Sequence, residues 1–164
     1  MNTLFHGLSS LVGMGMLLTL LVGSAYAQAP GPSRAGDASG LEPLAAFTVN
    51  SAVDAVDAAP GDGVCATAGG GCTLRAAIQE ANALTGDDVI SLPAGTYTLT
   101  LAGAGEDAAA TGDLDISSDV TLQGAGAAAT IINANWADRV VHVTGAFQVH
   151  IAGVTLTHGN GGGG

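Results

Sequence analysis

Two carboxylates alternate with two aliphatic side chains in Asp113-Leu114-Asp115-Ile116, so an extended strand puts both acids on one face. Glu106, Asp107 and Asp119 complete the densest acidic stretch of the chain. Such a group suits two kinds of chemistry: oxygen ligation of calcium, and acid and base catalysis across a sugar ring. A plainer reading needs fewer parts. Leu114 and Ile116 supply the inward face, and Asp113 and Asp115 are then a solvated outer one.

His142, His150 and His158 recur every eight residues, a pattern that invites zinc. Eight does not match the strand offset described below, so the three are not expected to stack; each interrupts a strand as an outward polar residue. Elimination from a uronate needs a base and a cation, and Arg139 is the one basic residue of the strand region. Trp136, the single tryptophan, sits in the segment Asn133 to Arg139, where it either stacks on a sugar or plugs a corner of the fold. The plug is the favoured reading. Asp54, Asp57 and Asp62 fit no EF-hand spacing and are assigned to turn chemistry. No residue is given a catalytic, cofactor-binding or metal role, and no cofactor is expected.

Composition narrows the partners. Fourteen acidic residues stand against three arginines, with no lysine, for a net charge of −11. That balance disfavours nucleic acid and polyanions, which are held by Lys and Arg. At the N-terminus, the apolar run Leu11 to Val22 precedes Ala25-Tyr26-Ala27, a small-x-small cleavage pattern. Residues 1–27 are therefore expected to be a signal peptide, although their start lacks Lys and Arg. An uncleaved signal or a further C-terminal anchor would be the routes to a membrane.

Export places Cys65 and Cys72 in an oxidising compartment, where they are expected to pair. Gly69-Gly70-Gly71 permits the tight return. Closing that loop contributes about 2.5 kcal/mol through the unfolded chain. Two thiols with no nearby histidine fall short of a zinc site.

The elements that would position these groups begin at Phe47. Residues 28–46, rich in Gly and Pro, read as a disordered linker. Phe47-Thr48-Val49 is a short strand. A helix follows the cysteine loop: Thr73 is its N-cap, Leu74, Ala77, Ile78 and Ala81 form one apolar stripe, and Gly86 stops it. Arg75, Gln79, Glu80 and Asn82 fall outside that stripe.

The segment CTLRAAIQEAN, Cys72 to Asn82, with VNSAVDAVDAAPGDGVC, Val49 to Cys65, resembles the CSLREA domain. That domain starts exported bacterial proteins that continue into right-handed parallel β-helices. The resemblance spans roughly Thr48 to Gly164 and implies architecture, with no catalytic residues to carry over. Thr73 stands where the motif has Ser, and Ala76 where it has Glu. The Ser and Glu of the motif form a capping box, so restoring Glu at 76 is expected to stabilise the helix by about 0.5–1 kcal/mol.

The strand pattern leads to the same architecture without the resemblance. Ile90-Ser-Leu92, Val120-Thr-Leu122 and Val149-His-Ile151 each end in a glycine turn, at offsets of thirty and twenty-nine residues. Further alternating runs lie between them, at Thr96–Leu101, Leu114 and Ile116, Ile131 and Ile132, Val140–Val143 and Val154–Thr157. The predicted fold is an all-β solenoid, a right-handed parallel β-helix of about three coils with a short N-terminal capping α-helix. An antiparallel sandwich is its structural rival. Residues 47–86 form the CSLREA-type cap with its disulfide loop and helix, and 87–164 the coils, incomplete at the C-terminal end.

The expected function is an exported, non-catalytic surface scaffold or adhesin, secreted or on the bacterial cell surface, with an extracellular carbohydrate or protein ligand. The alternative is the N-terminal part of a carbohydrate-active β-helix enzyme, a polysaccharide lyase or glycoside hydrolase.

Overall fold

The structure, a computed structural model, describes residues 44–161. The expected signal peptide 1–27 and residues 28–43 of the expected linker 28–46 lie outside the described residues, and the end of that linker is ordered, with Ala46 opening a strand. The elements in chain order are β1 (Ala46–Thr48), α1 (Leu74–Ala83), β2 (Asp88–Leu92), β3 (Gly95–Thr98), β4 (Leu114–Ile116), β5 (Val120–Gly124), β6 (Thr130–Asn133), β7 (Val141–Val143), β8 (Val149–Ala152) and β9 (Thr155–Thr157).

These strands form three sheets, in the orders β1-β2-β5-β8, β3-β6-β9 and β4-β7. Every pairing between named strands is parallel, which removes the antiparallel sandwich. From β2 onward the chain visits the first, second and third sheets in turn and then returns to the first. Inward side chains pack between them: Ile90 and Leu92 from β2, Leu114 and Ile116 from β4, Val120 and Leu122 from β5, and Ile132 from β6. Each such aliphatic contributes about 1.5–3 kcal/mol by leaving water. Beyond β6 the burial thins, with Val143 and Leu156 exposed and Ile151 half-buried.

The first repeat offset differs from the sequence expectation. Ile90 pairs with Leu122, and Leu92 with Gly124, two residues on from the predicted alignment. The second offset agrees, with Val120 opposite Val149 and Leu122 opposite Ile151. A two-residue slip keeps every side chain on its face, so alternation alone does not detect it. At the corner after β5, Gly124 lies against Gly153 of the next repeat so closely that a Cβ on Gly124 would stand 2.2 Å from the Gly153 carbonyl oxygen.

Helix α1 closes one end of the core. Thr73 caps it, its hydroxyl accepting from the Ala76 amide at 3.1 Å, and the helix ends at Ala83, before Gly86. The apolar stripe of Leu74, Ala77, Ile78 and Ala81 is buried as expected. So is much of the rest, which corrects the picture of one narrow stripe. Arg75 and Glu80 are also buried, and Ala76 is fully enclosed.

A second stripe explains why. Arg75, Gln79 and Asn82, at i, i+4 and i+7, run along the edge of β4 and the segment before it. Arg75 donates to the carbonyls of Ala109, Gly112 and Asp113, Gln79 to that of Ala109, and Asn82 to that of Asp115. Asn82 Oδ1 also accepts from the Ser117 amide. The helix thus supplies side-chain partners to backbone groups that no neighbouring strand reaches on that side. Glu80 accepts from the amides of Gly61 and Gly63, drawing the 55–66 segment onto the helix.

The cysteines are bonded. Cys65 and Cys72 have Cα atoms 5.1 Å apart and form a disulfide. Asp57 accepts from the Ala59 amide and Asp62 from Val64, which is the turn chemistry expected of them, and Asp57 Oδ2 also reaches across the loop to the Ala66 amide. Asp54 departs from that role by pairing with Arg75.

Candidate functional site

Between β3 and β4 the segment 102–112 leaves the sheets and returns. Its neck is tight: the Gly112 amide donates to the Leu101 carbonyl at 2.7 Å, and Gly112 has φ +62° with the Gly103 oxygen 2.5 Å from where a Cβ would sit. Glu106 fixes the interior by accepting from the amides of Ala108 and Thr111. Folded this way, the loop lies over the outer face of the β4–β7 sheet.

That cover overturns the expectation of a solvated Asp113 and Asp115. Both carboxylate side chains are buried, at 2% and 0% exposure. Asp115 Oδ2 accepts from the Ala109 amide of the loop at 3.0 Å. Its Oδ1 lies 3.0 Å from His142 Nδ1, and the two residues are register partners across the parallel pair β4–β7. Asp107, carried out on the loop, brings Oδ1 to 3.4 Å from the same nitrogen. Asp113 Oδ2 accepts from Arg139 Nε at 2.7 Å, and Arg139 Nη2 lies 3.5 Å from His142 Nδ1.

Charge is unevenly compensated within the cluster. Burial raises the Asp115 carboxyl above its ordinary value; the Ala109 amide and His142 oppose this, and the charges of Asp113 and Glu106 add to it. Arg139 is held more firmly protonated, chiefly by its bond to Asp113.

Three ligand-type atoms, from Asp107, Asp115 and His142, lie within 4.8 Å of one another. The same residues form a carboxylate-oriented imidazole, the arrangement that fixes a histidine tautomer in general-base sites. A sugar-cleaving pair is a different matter. It needs two carboxyls facing substrate, whereas Asp113 and Asp115 are both enclosed and hydrogen-bonded. The hollow beside Arg139, lined by Ala104, Gly105, Asp138 and Asn160, measures about 320 Å³ and sits at the small end of the range for ligand sites.

The remaining candidates are scattered. Asp119 accepts from the Gln148 amide and ties consecutive repeats together. His150 is exposed on β8, and His158 lies just past β9, so the three histidines do not converge. Trp136 plugs nothing. It is 64% exposed and meets the His158 ring edge-on at 4.8 Å, which corrects the favoured reading. What sequence reasoning missed was the company kept by His142: its offset from Asp115 is close to the repeat length, and that was the available signal. No known protein family, curated protein or solved structure matches this chain.

Proposed function

We propose that the chain is an exported, non-catalytic scaffold built as a right-handed parallel β-helix under a CSLREA-type helical cap, displayed on the cell surface or secreted. The observation that carries this reading is the engagement of both arginines of the described residues. Arg75 is buried against Asp54, and Arg139 is bonded to Asp113. Arg75 is wholly enclosed, and Arg139 commits its Nε to Asp113 while its side chain stays 40% exposed, which leaves one partly engaged cation against an acidic surface that repels polyuronates. The cyclic passage through three parallel sheets supports the β-helix, and right-handed crossing is the general rule for parallel connections. The disulfide supports export, because such bonds persist in oxidising compartments.

Ligand contact would then come from exposed residues along the ladder, with Trp136 at one corner as an aromatic face for a carbohydrate or protein partner. Expression of the whole chain in a bacterium, followed by fractionation and N-terminal mass analysis, tests the export half of the reading. The expected species starts at Gln28, carries the disulfide and is removed from intact cells or their medium by added protease. An intact N-terminus on a protein held in the cytoplasm contradicts it.

A further inference from the structure

We propose that Asp107, Asp115 and His142 bind one divalent transition-metal ion of the zinc class, which fastens the 102–112 loop to the β4–β7 sheet. The three ligands come from three separate segments: the loop, β4 and β7. Around a zinc-sized ion with bonds of about 2.0–2.2 Å, tetrahedral neighbours stand about 3.3–3.6 Å apart. His142 Nδ1 stands 3.4 Å from Asp107 Oδ1, within that separation, and 3.0 Å from Asp115 Oδ1, so those two side chains must part by a few tenths of an ångström to admit the ion.

The imidazole is what distinguishes this group from a cluster of surface acids. Calcium and magnesium select oxygen shells, whereas one imidazole with two carboxylates suits zinc, cobalt, nickel or manganese. The shell is also held from behind. The Ala109 amide fixes the second oxygen of Asp115, as second-shell donors do for ligating carboxylates. With neutral imidazole, two carboxylates balance the ion's charge, and a water would complete four-coordination. Arg139 is the one opposing group. Its side chain is 40% exposed and keeps its Nε bond to Asp113, so Nη2 can withdraw to solvent as the ion enters.

The scaffold reading does not depend on this site, and the test separates the two. Untagged full-length protein, stripped with chelator, is titrated with Zn²⁺ by calorimetry and with Co²⁺ by visible absorption. The expected result is one ion per chain and the cobalt spectrum of a low-coordinate nitrogen and oxygen site. Zn²⁺ should also slow hydrogen exchange at Ala108 and Ala109. His142→Ala should abolish saturable binding. Asp107→Asn, at an exposed position that leaves folding intact, should weaken it by at least the roughly 10–100-fold that losing an outer-shell partner costs. His150→Ala and His158→Ala should bind as the parent does. Absence of saturable binding of either ion overturns the proposal. So does binding that survives both His142→Ala and Asp107→Asn.

Discussion

Arg75 Nε lies 2.6 Å from Asp54 Oδ1, and both side chains are withdrawn from solvent, at 0% and 2% exposure. Asp54 Oδ2 also accepts from the amides of Thr100 and Leu101, so this one carboxylate joins the cap to the turn after β3. Removing one member of a buried pair leaves an uncompensated charge, at a cost of about 3–5 kcal/mol. Asp54→Ala is expected to lose that much in urea unfolding. A loss below about 1 kcal/mol, the level of an exposed ion pair, would show that the pair does not pin the cap.

The same carboxylate sets an acid limit. Burial alone would raise the Asp54 carboxyl, but the Arg75 bond and the Leu101 and Thr100 amides outweigh it and hold it below its ordinary 3.8. A depressed carboxyl stabilises the folded state above its unfolded value and loses that contribution as pH falls through the lower folded one. Asp88 works in the opposite direction. Burial raises it, against the Ala45 amide on Oδ1 and with help from Asp87, and its Oδ2 has no hydrogen-bond partner. For a raised carboxyl the penalty on folding grows as pH climbs from 3.8 through the folded value. Asp88→Asn should therefore gain on the parent across that window, keeping its bond to Ala45. Parallel stability curves for parent and variant above pH 3.8 would contradict the assignment.

Gly124→Ala tests the stacking of repeats. The new Cβ would stand 2.2 Å from the Gly153 oxygen, which is backbone, so the corner itself must shift. The expected cost is about 1–3 kcal/mol, as for an overpacked core. Gly126→Ala, where the added carbon meets nothing within 4 Å, separates backbone conformation from contact because its φ is +139°. Gly124 has no positive φ, so its loss reports contact alone, and a loss below about 0.5 kcal/mol would remove the close approach as a constraint.

Ala76→Glu reverses the expectation drawn from the capping motif. Ala76 is fully buried, so a carboxylate there must displace packed atoms and leave water before it can reach back to the N-cap amide. The variant should unfold at lower urea than the parent. A higher midpoint would restore the capping-box argument.

How much was legible depended on which physical rule wrote each feature. Strands such as Val120–Gly124 and Val149–Ala152 announce themselves because one face is buried, and the cysteine loop and Thr73 cap are local patterns. The alignment of Ile90 was not legible, since a slip by two residues changes no face. Arg75, Gln79 and Asn82 form a stripe as regular as the apolar one. Polar side chains directed at backbone carbonyls carry no hydrophobic signal, so the pattern placed them only outside the apolar stripe. Asp113 and Asp115 were misplaced for a related reason. Their burial depends on a loop closing from the side, held by Gly112 and Glu106, and alternation along β4 contains no trace of it.

The central claim, that this is a scaffold whose charged groups hold the fold and do not turn over substrate, is tested most directly by one assay. The full chain is incubated with pectin, polygalacturonate, alginate and neutral glucans, with and without Ca²⁺ and Zn²⁺, and products are followed by reducing ends and by ultraviolet absorbance of unsaturated uronates. The account predicts no product above a heat-denatured control under any condition. Turnover that disappears in Asp113→Asn or Asp115→Asn protein of native fold would contradict it and identify the enclosed cluster as an active site.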